Sequence, residues 1–222
     1  AAAGEISKAP ESIGSSFRNA DLRFPSVQDG QGNTRQLTQE SLVACLRSTD
    51  DVLRKNAFET FYTTLHGFRN SIAPTLDAQF RQLKFFADAR RYGSTLEAAL
   101  DKTEVPVAVY HSLIEAVHNN MDKMHRYMAL RKKLMGVDAL HMYDLYTPIV
   151  KEASVEIPFA QAKETVLEAL QVLGEDYTAI LKEGFDNRWI DVYENEGKRG
   201  GAYSTGHGKP HPYVLLNHKD TL

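Results

Sequence analysis

Residues 196–218 read EGKRGGAYSTGHGKPHPYVLLNH. The stretch contains five glycines and two prolines, which disfavour a helix because glycine frees the backbone and proline removes a hydrogen-bond donor. It leads into a short apolar run, Tyr213 to Leu216, that predicts a β-strand. Glycines gathered at one place leave main-chain N–H and C=O groups accessible, and a strand that follows a proline favours an unpaired edge. We therefore expect a surface on which an extended peptide pairs with this backbone.

The residue types of this stretch also fit a second interpretation. Clusters of Gly and Pro are typical of loops, so residues 196–218 are equally compatible with an exposed hairpin that binds nothing. Upstream, residues 189–193 (WIDVY) alternate apolar and polar side chains in the manner of a strand. If that strand pairs with Tyr213 to Asn217, the glycine-rich stretch is the connection between the two.

Composition and charge limit the classes of partner. The 222 residues are 42% hydrophobic and 25% charged, with a net charge of −3. This balance gives no basic surface for nucleic acid or for an anionic membrane, so neither is expected as a partner. No apolar run approaches the roughly 18 residues that span a bilayer. Because Cys45 is the single cysteine, it cannot form an internal disulfide, which favours a reducing cytoplasm and a small packed side chain.

Helical periodicity dominates the chain before residue 189. It predicts a mainly α fold: a multi-helix array with one long kinked helix and a short β ribbon near the C-terminus. Ser48 is the expected N-cap of the long helix, which ends near Arg90, and Pro74 is expected to kink it. Its apolar positions recur every three or four residues and predict a core stripe: Phe58, Phe61, Leu65, Phe68, Ile72, Leu76, Phe80, Leu83 and Phe86.

The domain organisation follows from the same periodicity. Residues 1–36 are weakly patterned, and we expect irregular or extended structure there. Residues 37–222 form the helical region that ends in the glycine-rich loop and the strand. No internal repeat and no long linker interrupts this region.

Eight histidines raise the question of a metal site. His111, Glu115 and His118 fall on one helix face, but no fourth ligand is close in sequence, and such a face is more often solvated or packed. His207 and His211 have the spacing of two zinc ligands, but the neighbouring glycine and prolines exclude the helix on which that spacing converges. No H-E-x-x-H, G-x-S-x-G, Walker A or C-x-x-C motif is present. We expect no metal ligand and no catalytic residue in this chain.

Six blocks of the sequence, in the same order, resemble oligoendopeptidase F and its thimet-oligopeptidase-like relatives. The match covers nearly the whole chain from about Glu5 onward. The blocks are Phe24-Pro25-Ser26-Val27, Leu130-Arg131-Lys132-Lys133-Leu134, His141-Met142-Tyr143-Asp144-Leu145-Tyr146, residues 185–193 (FDNRWIDVY), residues 197–204 (GKRGGAYS) and residues 211–217 (HPYVLLN).

The resemblance implies a zinc-dependent endopeptidase that hydrolyses short peptides in a channel between helical halves. In the family, the segment ending at Leu222 is followed shortly by a helix with H-E-x-x-H, which supplies two zinc ligands and the glutamate that activates water. This chain lacks that motif, so it resembles an internal fragment that is inactive alone and needs no cofactor. Zinc belongs to the intact family enzyme.

What such a fragment would supply is substrate positioning. The resemblance implies an edge strand at Tyr213 to Leu216 that pairs with the peptide main chain. The residues expected to bind substrate are Gly200, Gly201, Ala202, Tyr203, Ser204, His211, Tyr213, Val214 and Leu215. His141, Tyr143 and Tyr146 are expected to line the channel, with a purely structural role as the alternative.

Two further expectations concern partners. A non-catalytic helical module that binds peptides through its strand is the alternative to the peptidase fragment. In a truncated fold, apolar helix faces stay exposed, so we also expect self-association or a second polypeptide that completes the fold.

Overall fold

The computed structural model describes residues 4, 7–150, 156–195 and 198–220. Glu196 and Gly197 of the glycine-rich stretch, and Leu222, therefore lie outside the described residues. The chain divides into two compact units, Ala1–Ile149 and Val150–Leu222. The boundary that the sequence suggests after residue 36 remains a prediction.

Helices dominate the described residues, which confirms the mainly α prediction. Unit 1 contains helices α1 (Ala9–Ser16), α2 (Gln39–Arg47), α3 (Asp51–Gly67), α4 (Arg69–Ala89), α5 (Thr95–Asp101), α6 (Val107–His118) and α7 (Met121–Met135), and strands β1 (Val27–Gln28) and β2 (Thr34–Arg35). Unit 2 contains helices α8 (Phe159–Ala169) and α9 (Glu175–Asp186), and strands β3 (Ile190–Tyr193), β4 (Tyr203–Thr205) and β5 (Tyr213–His218). None of the helices in the described ranges is long and apolar enough to cross a membrane.

The core of unit 1 forms where α2 and α3 meet the segment that precedes them. Phe24 stacks on Phe61 of α3 with ring centroids 4.5 Å apart. Cys45 is buried in this cluster, as its apolar neighbours in sequence predict. The other buried members are Leu22, Val27, Leu37, Leu42, Leu46, Leu53 and Ala57.

The long helical stretch is confirmed, but it forms two helices that meet at Phe68, and the kink at Pro74 remains a prediction. Phe68 has φ −99° and ψ 8°, which ends α3 and precedes α4, whereas Pro74 lies inside α4. The N-cap of α3 is Asp50 and not Ser48, so that prediction was wrong. The Asp50 carboxylate accepts the N–H groups of Val52 and Leu53, which an N-cap side chain does.

The apolar stripe of α3 and α4 has two environments. Phe58, Phe61 and Leu65 pack against the core of unit 1. Leu76 and Phe80 of α4 are exposed in the described chain, so the prediction of a continuous core stripe was wrong for α4. Helical periodicity identifies the apolar face of a helix, but it does not identify what covers that face.

Unit 2 contains a three-stranded sheet with the order β3-β5-β4. Strand β5 pairs in parallel with β3 and antiparallel with β4. The predicted pairing of residues 189–193 with Tyr213 to Asn217 is therefore confirmed. The prediction that Tyr213 to Leu216 is an edge strand was wrong, because the glycine-rich connection contributes β4 and covers that edge.

Candidate functional site

Strand β4 is one of the two outer strands of the sheet in unit 2, and β3 is the other, so β4 presents one open edge. The Val214 N–H donates to the carbonyl of Trp189 at 2.8 Å, so the main-chain groups of Val214 face β3. Main-chain groups alternate in direction along a strand, so those of Tyr213 and Leu215 face β4. These two residues are opposite Thr205 and Tyr203 in the antiparallel register. Ser204 lies between them, and its N–H and C=O consequently point away from β5, towards the open edge.

The glycine-rich segment before β4 is exposed. Gly200, Gly201 and Ala202 lie on the surface, and so do all residues of β4. Gly201 has φ +85°, a conformation that an L side chain rarely adopts, so a residue with a Cβ would strain the backbone there. Apolar burial therefore does not hold this segment in place.

Two side chains bond to the segment instead. The side chain of Lys198 is 4% exposed, and its Nζ contacts the carbonyls of Asp191 (3.2 Å) and Tyr193 (2.6 Å) and the Asp191 carboxylate (3.1 Å). The amide of Asn217, on β5, donates to the carbonyls of Arg199 at 3.0 Å and Gly201 at 2.8 Å. Neither residue was predicted as part of the site from the sequence.

The aromatic residues at the start of β5 form a packed row. The ring of His211 stacks on Trp189, with centroids 4.7 Å apart and planes 6° from parallel. It also contacts the ring of Tyr213 at 4.7 Å. A Cβ on Gly184 of α9 would lie 3.0 Å from the Trp189 ring, so the glycine leaves the space in which the indole sits. Trp189 and Gly184 were not predicted as part of the site.

The residues predicted to line a channel lie in unit 1, on a tight turn after α7. His141 stacks on Tyr143 with ring centroids 4.8 Å apart, and Tyr143 also packs edge-on against Phe58. His141 and Tyr146 are exposed, whereas Tyr143 is half-buried. Burial raises the pKa of the Tyr143 phenol, and the negative charge of Asp144 raises it further, so the phenol stays neutral at ordinary pH.

Two buried arginines hold this turn. Arg54 Nε and Nη2 donate to the Asp144 carboxylate at 3.1 and 2.8 Å, and both residues are buried. The other Asp144 carboxylate oxygen accepts the His141 N–H at 3.0 Å. Arg131 donates to the carbonyls of Asp144 and Thr147. These hydrogen bonds hold the backbone of the turn that carries His141, Tyr143 and Tyr146.

The sequence contained one signal for this network. Arg54 is in phase with Phe58 and Phe61 on the apolar face of α3. A charged residue on such a face is buried only if it finds a partner, and the partner here, Asp144, is 90 positions away in sequence.

No described residues form a metal centre. In the described ranges, no group of three or more His, Cys, Asp and Glu side chains is placed to hold an ion. His111, Glu115 and His118 do not form such a group, and His207 and His211 do not belong to one. The described residues therefore do not supply the donor set that a zinc centre requires.

Comparisons with known proteins agree on one family. The family model described as peptidase family M3 matches residues 44–222. Over 218 residues, the chain is 43% identical to oligopeptidase PepF of Bacillus subtilis. That alignment covers 96% of this chain and 32% of the relative. It is 37% identical to group B oligopeptidase PepB of Streptococcus agalactiae over 204 residues, or 92% of this chain and 34% of that protein.

Solved structures give the same result for the fold. The crystal structure of oligoendopeptidase-F from Enterococcus faecium matches with 39% identity and a TM-score of 0.66, over 84% of this chain and 35% of that one. PZ peptidase A matches with a TM-score of 0.74 over 97% of this chain and 38% of that one, but at 17% identity it shows the fold alone. The chain thus spans about a third of the length of the curated relatives that it matches.

Proposed function

The chain belongs to peptidase family M3, and from that membership we propose that it supplies the peptide-positioning surface of a zinc-dependent oligoendopeptidase that hydrolyses short peptides. The observation that carries the proposal is the open edge of β4, which follows the exposed residues Gly200, Gly201 and Ala202. This assignment moves the pairing strand from Tyr213–Leu216 to Tyr203–Thr205. The cytoplasm remains the predicted location.

The peptide adds to the sheet as a fourth strand beside β4. The Ser204 N–H donates to a peptide carbonyl, and the Ser204 carbonyl accepts a peptide N–H, because both groups point to the open edge. The glycines before β4 let the peptide backbone approach closely. Side chains alternate across a strand, so Tyr203 and Thr205 lie on one face of the sheet and Ser204 on the other. Alternate peptide side chains therefore contact the exposed Tyr203 ring.

In this proposal the described residues bind and orient the peptide. Holding a peptide in an extended conformation favours attack at a fixed position along it. We place His211, Tyr213, Val214 and Leu215 behind this surface, where they support β4. His141, Tyr143 and Tyr146 contribute to the channel wall, which is supported by the exposure of His141 and Tyr146.

A matched pair of variants tests the pairing strand. Ser204→Pro removes the outward N–H without removing a bond between β4 and β5, whereas Ser204→Ala keeps the N–H and removes only the hydroxyl. We expect the proline variant to bind a labelled extended octapeptide about fivefold more weakly, since one hydrogen bond is worth about 1 kcal/mol. Peptide-induced chemical-shift changes at the Ser204 amide give the affinity of the wild-type chain and identify the site. Equal affinities for both variants, or shift changes confined to other strands, would contradict the proposal.

A second experiment tests the proposed inactivity. The chain alone is titrated with zinc and then incubated with an internally quenched fluorogenic peptide. We expect no turnover and no stoichiometric tight zinc, because the described ligands do not converge. Tight zinc at one equivalent together with cleavage would overturn this part of the proposal.

Exposed apolar faces support a proposal about assembly. Val109, Leu113 and Val117 lie on one face of α6 and are exposed in the described chain. We propose that a second copy or a second polypeptide covers this face. Light scattering at increasing concentration is expected to show self-association, and a single monomeric species at high concentration would count against a second copy on this face.

A further inference from the structure

We propose that Lys198 and Asn217 are positioning residues, which fix the glycine-rich segment so that the Ser204 N–H and C=O stay presented to a peptide. The inference rests on the proposed function. It adds two residues whose side chains lie beside β4 and affect peptide binding through the position of that strand. We call Lys198 and Asn217 together the clamp.

Both side chains of the clamp donate to backbone carbonyls. Lys198 Nζ donates to the carbonyls of Asp191 and Tyr193 and forms an ion pair with the Asp191 carboxylate. The Asn217 amide has two N–H donors, and these reach the carbonyls of Arg199 and Gly201. A lysine is rarely this deeply buried unless it is paired. Four backbone carbonyls accept from the two side chains, whereas the buried Asn217 Oδ1 has no hydrogen-bond partner among the described residues. The four directed bonds indicate a built arrangement and not a chance surface contact.

The clamp acts where packing is absent. All residues from Gly200 to Thr205 are exposed, so no apolar side chain anchors them. Strand β4 contains three residues, and so short a strand with exposed side chains is weakly stable by itself. Lys198 bonds the start of the segment to β3, and Asn217 bonds Arg199 and Gly201 to β5. Contacts with both β3 and β5 thus determine where β4 begins.

The position of β4 determines its register with a peptide. If residues 198–201 are released, β4 can slip or detach from β5, and a shift of one residue turns the outward groups of Ser204 inward. Peptide binding would then require ordering of the segment, which costs affinity. A clamp that fixes the segment in advance removes that cost.

Isosteric variants test the clamp. Lys198→Met keeps the length of the side chain and removes its three donors, and Asn217→Asp keeps the shape and places lone pairs against two carbonyls. The controls are Lys209→Met, on an exposed lysine of the same stretch, and Asn195→Asp, on an exposed asparagine. Lys198→Arg is the conservative variant, because it restores charged donors.

Two measurements on the 222-residue chain separate the clamp from the proposed function. Hydrogen exchange without peptide reports how well the Tyr203 and Thr205 amides are held against β5. Titration with the labelled octapeptide reports binding, and a version of the octapeptide with alternate N-methyl groups, which block pairing, serves as the negative control. Thermal unfolding followed by Trp189 fluorescence checks that unit 2 keeps its fold.

We expect both clamp variants to speed exchange at Tyr203 and Thr205 and to weaken octapeptide binding by about tenfold, with the Trp189 transition unchanged. Lys198→Arg is expected to recover part of the affinity, and both control variants should match the wild type. Unchanged exchange or unchanged affinity in both clamp variants would overturn the inference. A wild-type chain that binds no octapeptide would overturn the proposed function, and the exchange data would then still decide whether the clamp holds β4.

Discussion

The buried ion pair between Arg54 and Asp144 gives the sharpest prediction about the stability of unit 1. Their side chains are 5% and 4% exposed, and the closest N–O distance is 2.8 Å. Asp144→Ala removes the carboxylate and leaves the Arg54 guanidinium buried with one remaining partner, the Ser48 carbonyl at 3.0 Å. It also leaves the His141 N–H without its acceptor.

The magnitude follows from the cost of an uncompensated buried charge. Breaking a buried pair by removing one partner costs about 3–5 kcal/mol of unfolding free energy. With a urea m-value of about 2.5 kcal/mol/M, this lowers the unfolding midpoint by roughly 1–2 M. The free energy is lost because the guanidinium gives up its hydration on folding and gains too little in return.

The assay is urea unfolding monitored by far-UV circular dichroism. Much of that signal comes from helices α1 to α7. The matched control is Asp77→Ala, which breaks the ion pair between Asp77 and Arg81. In that pair the Arg81 side chain is 80% exposed and the Asp77 side chain is 59% exposed. We expect the control to unfold at the wild-type midpoint, since exposed pairs contribute little. The double variant Arg54→Met/Asp144→Leu removes both charges and should recover part of the loss.

The reasoning is refuted if Asp144→Ala and Asp77→Ala shift the midpoint equally. It is also refuted if the double variant is less stable than Asp144→Ala alone, because the damage would then come from lost packing. A shift with a changed m-value would indicate that the transition is no longer two-state, and thermal unfolding by calorimetry then decides the comparison.

Two further predictions concern a cap and a glycine. The Asp50 carboxylate accepts the N–H of Gly30 at 2.7 Å, and this bond, with those at the start of α3, lowers its pKa below 3.8. The ionised Asp50 carboxylate therefore contributes its full stabilisation above about pH 4 and loses it as the pH falls through its lowered pKa. Asp50→Asn has no carboxylate to protonate at this position, so its free energy of unfolding should fall less steeply below pH 4 than that of the wild type. A Cβ at position 184 would lie 3.0 Å from the Trp189 ring, so Gly184→Val places side-chain atoms against that ring. We expect the variant to lose roughly 1–3 kcal/mol of unfolding free energy. We also expect a shift in the emission maximum of Trp189, the single tryptophan. An unchanged emission spectrum would show that the indole does not occupy this space.

The sequence by itself determined the local structure and the family. The periodicity of residues 51–89 predicts helix because residues three and four apart share a face, and this depends on nothing distant. The alternation in residues 189–193 and the apolar run at Tyr213 likewise predict strands. The ordered blocks that resemble oligoendopeptidase F identify the family without any coordinates.

Only the tertiary structure decided which backbone is open and which charges are paired. Strand β5 reads as an edge because Pro212 precedes it, but β4 covers it, and three exposed residues of β4 carry too little pattern to predict that pairing. Arg54 finds Asp144 across 90 positions, and Asn217 reaches Arg199 across 18, so neither contact has a local signal. Local backbone conformation depends on neighbouring residues. Sheet order and buried ion pairs depend instead on which distant segments the folded chain brings together.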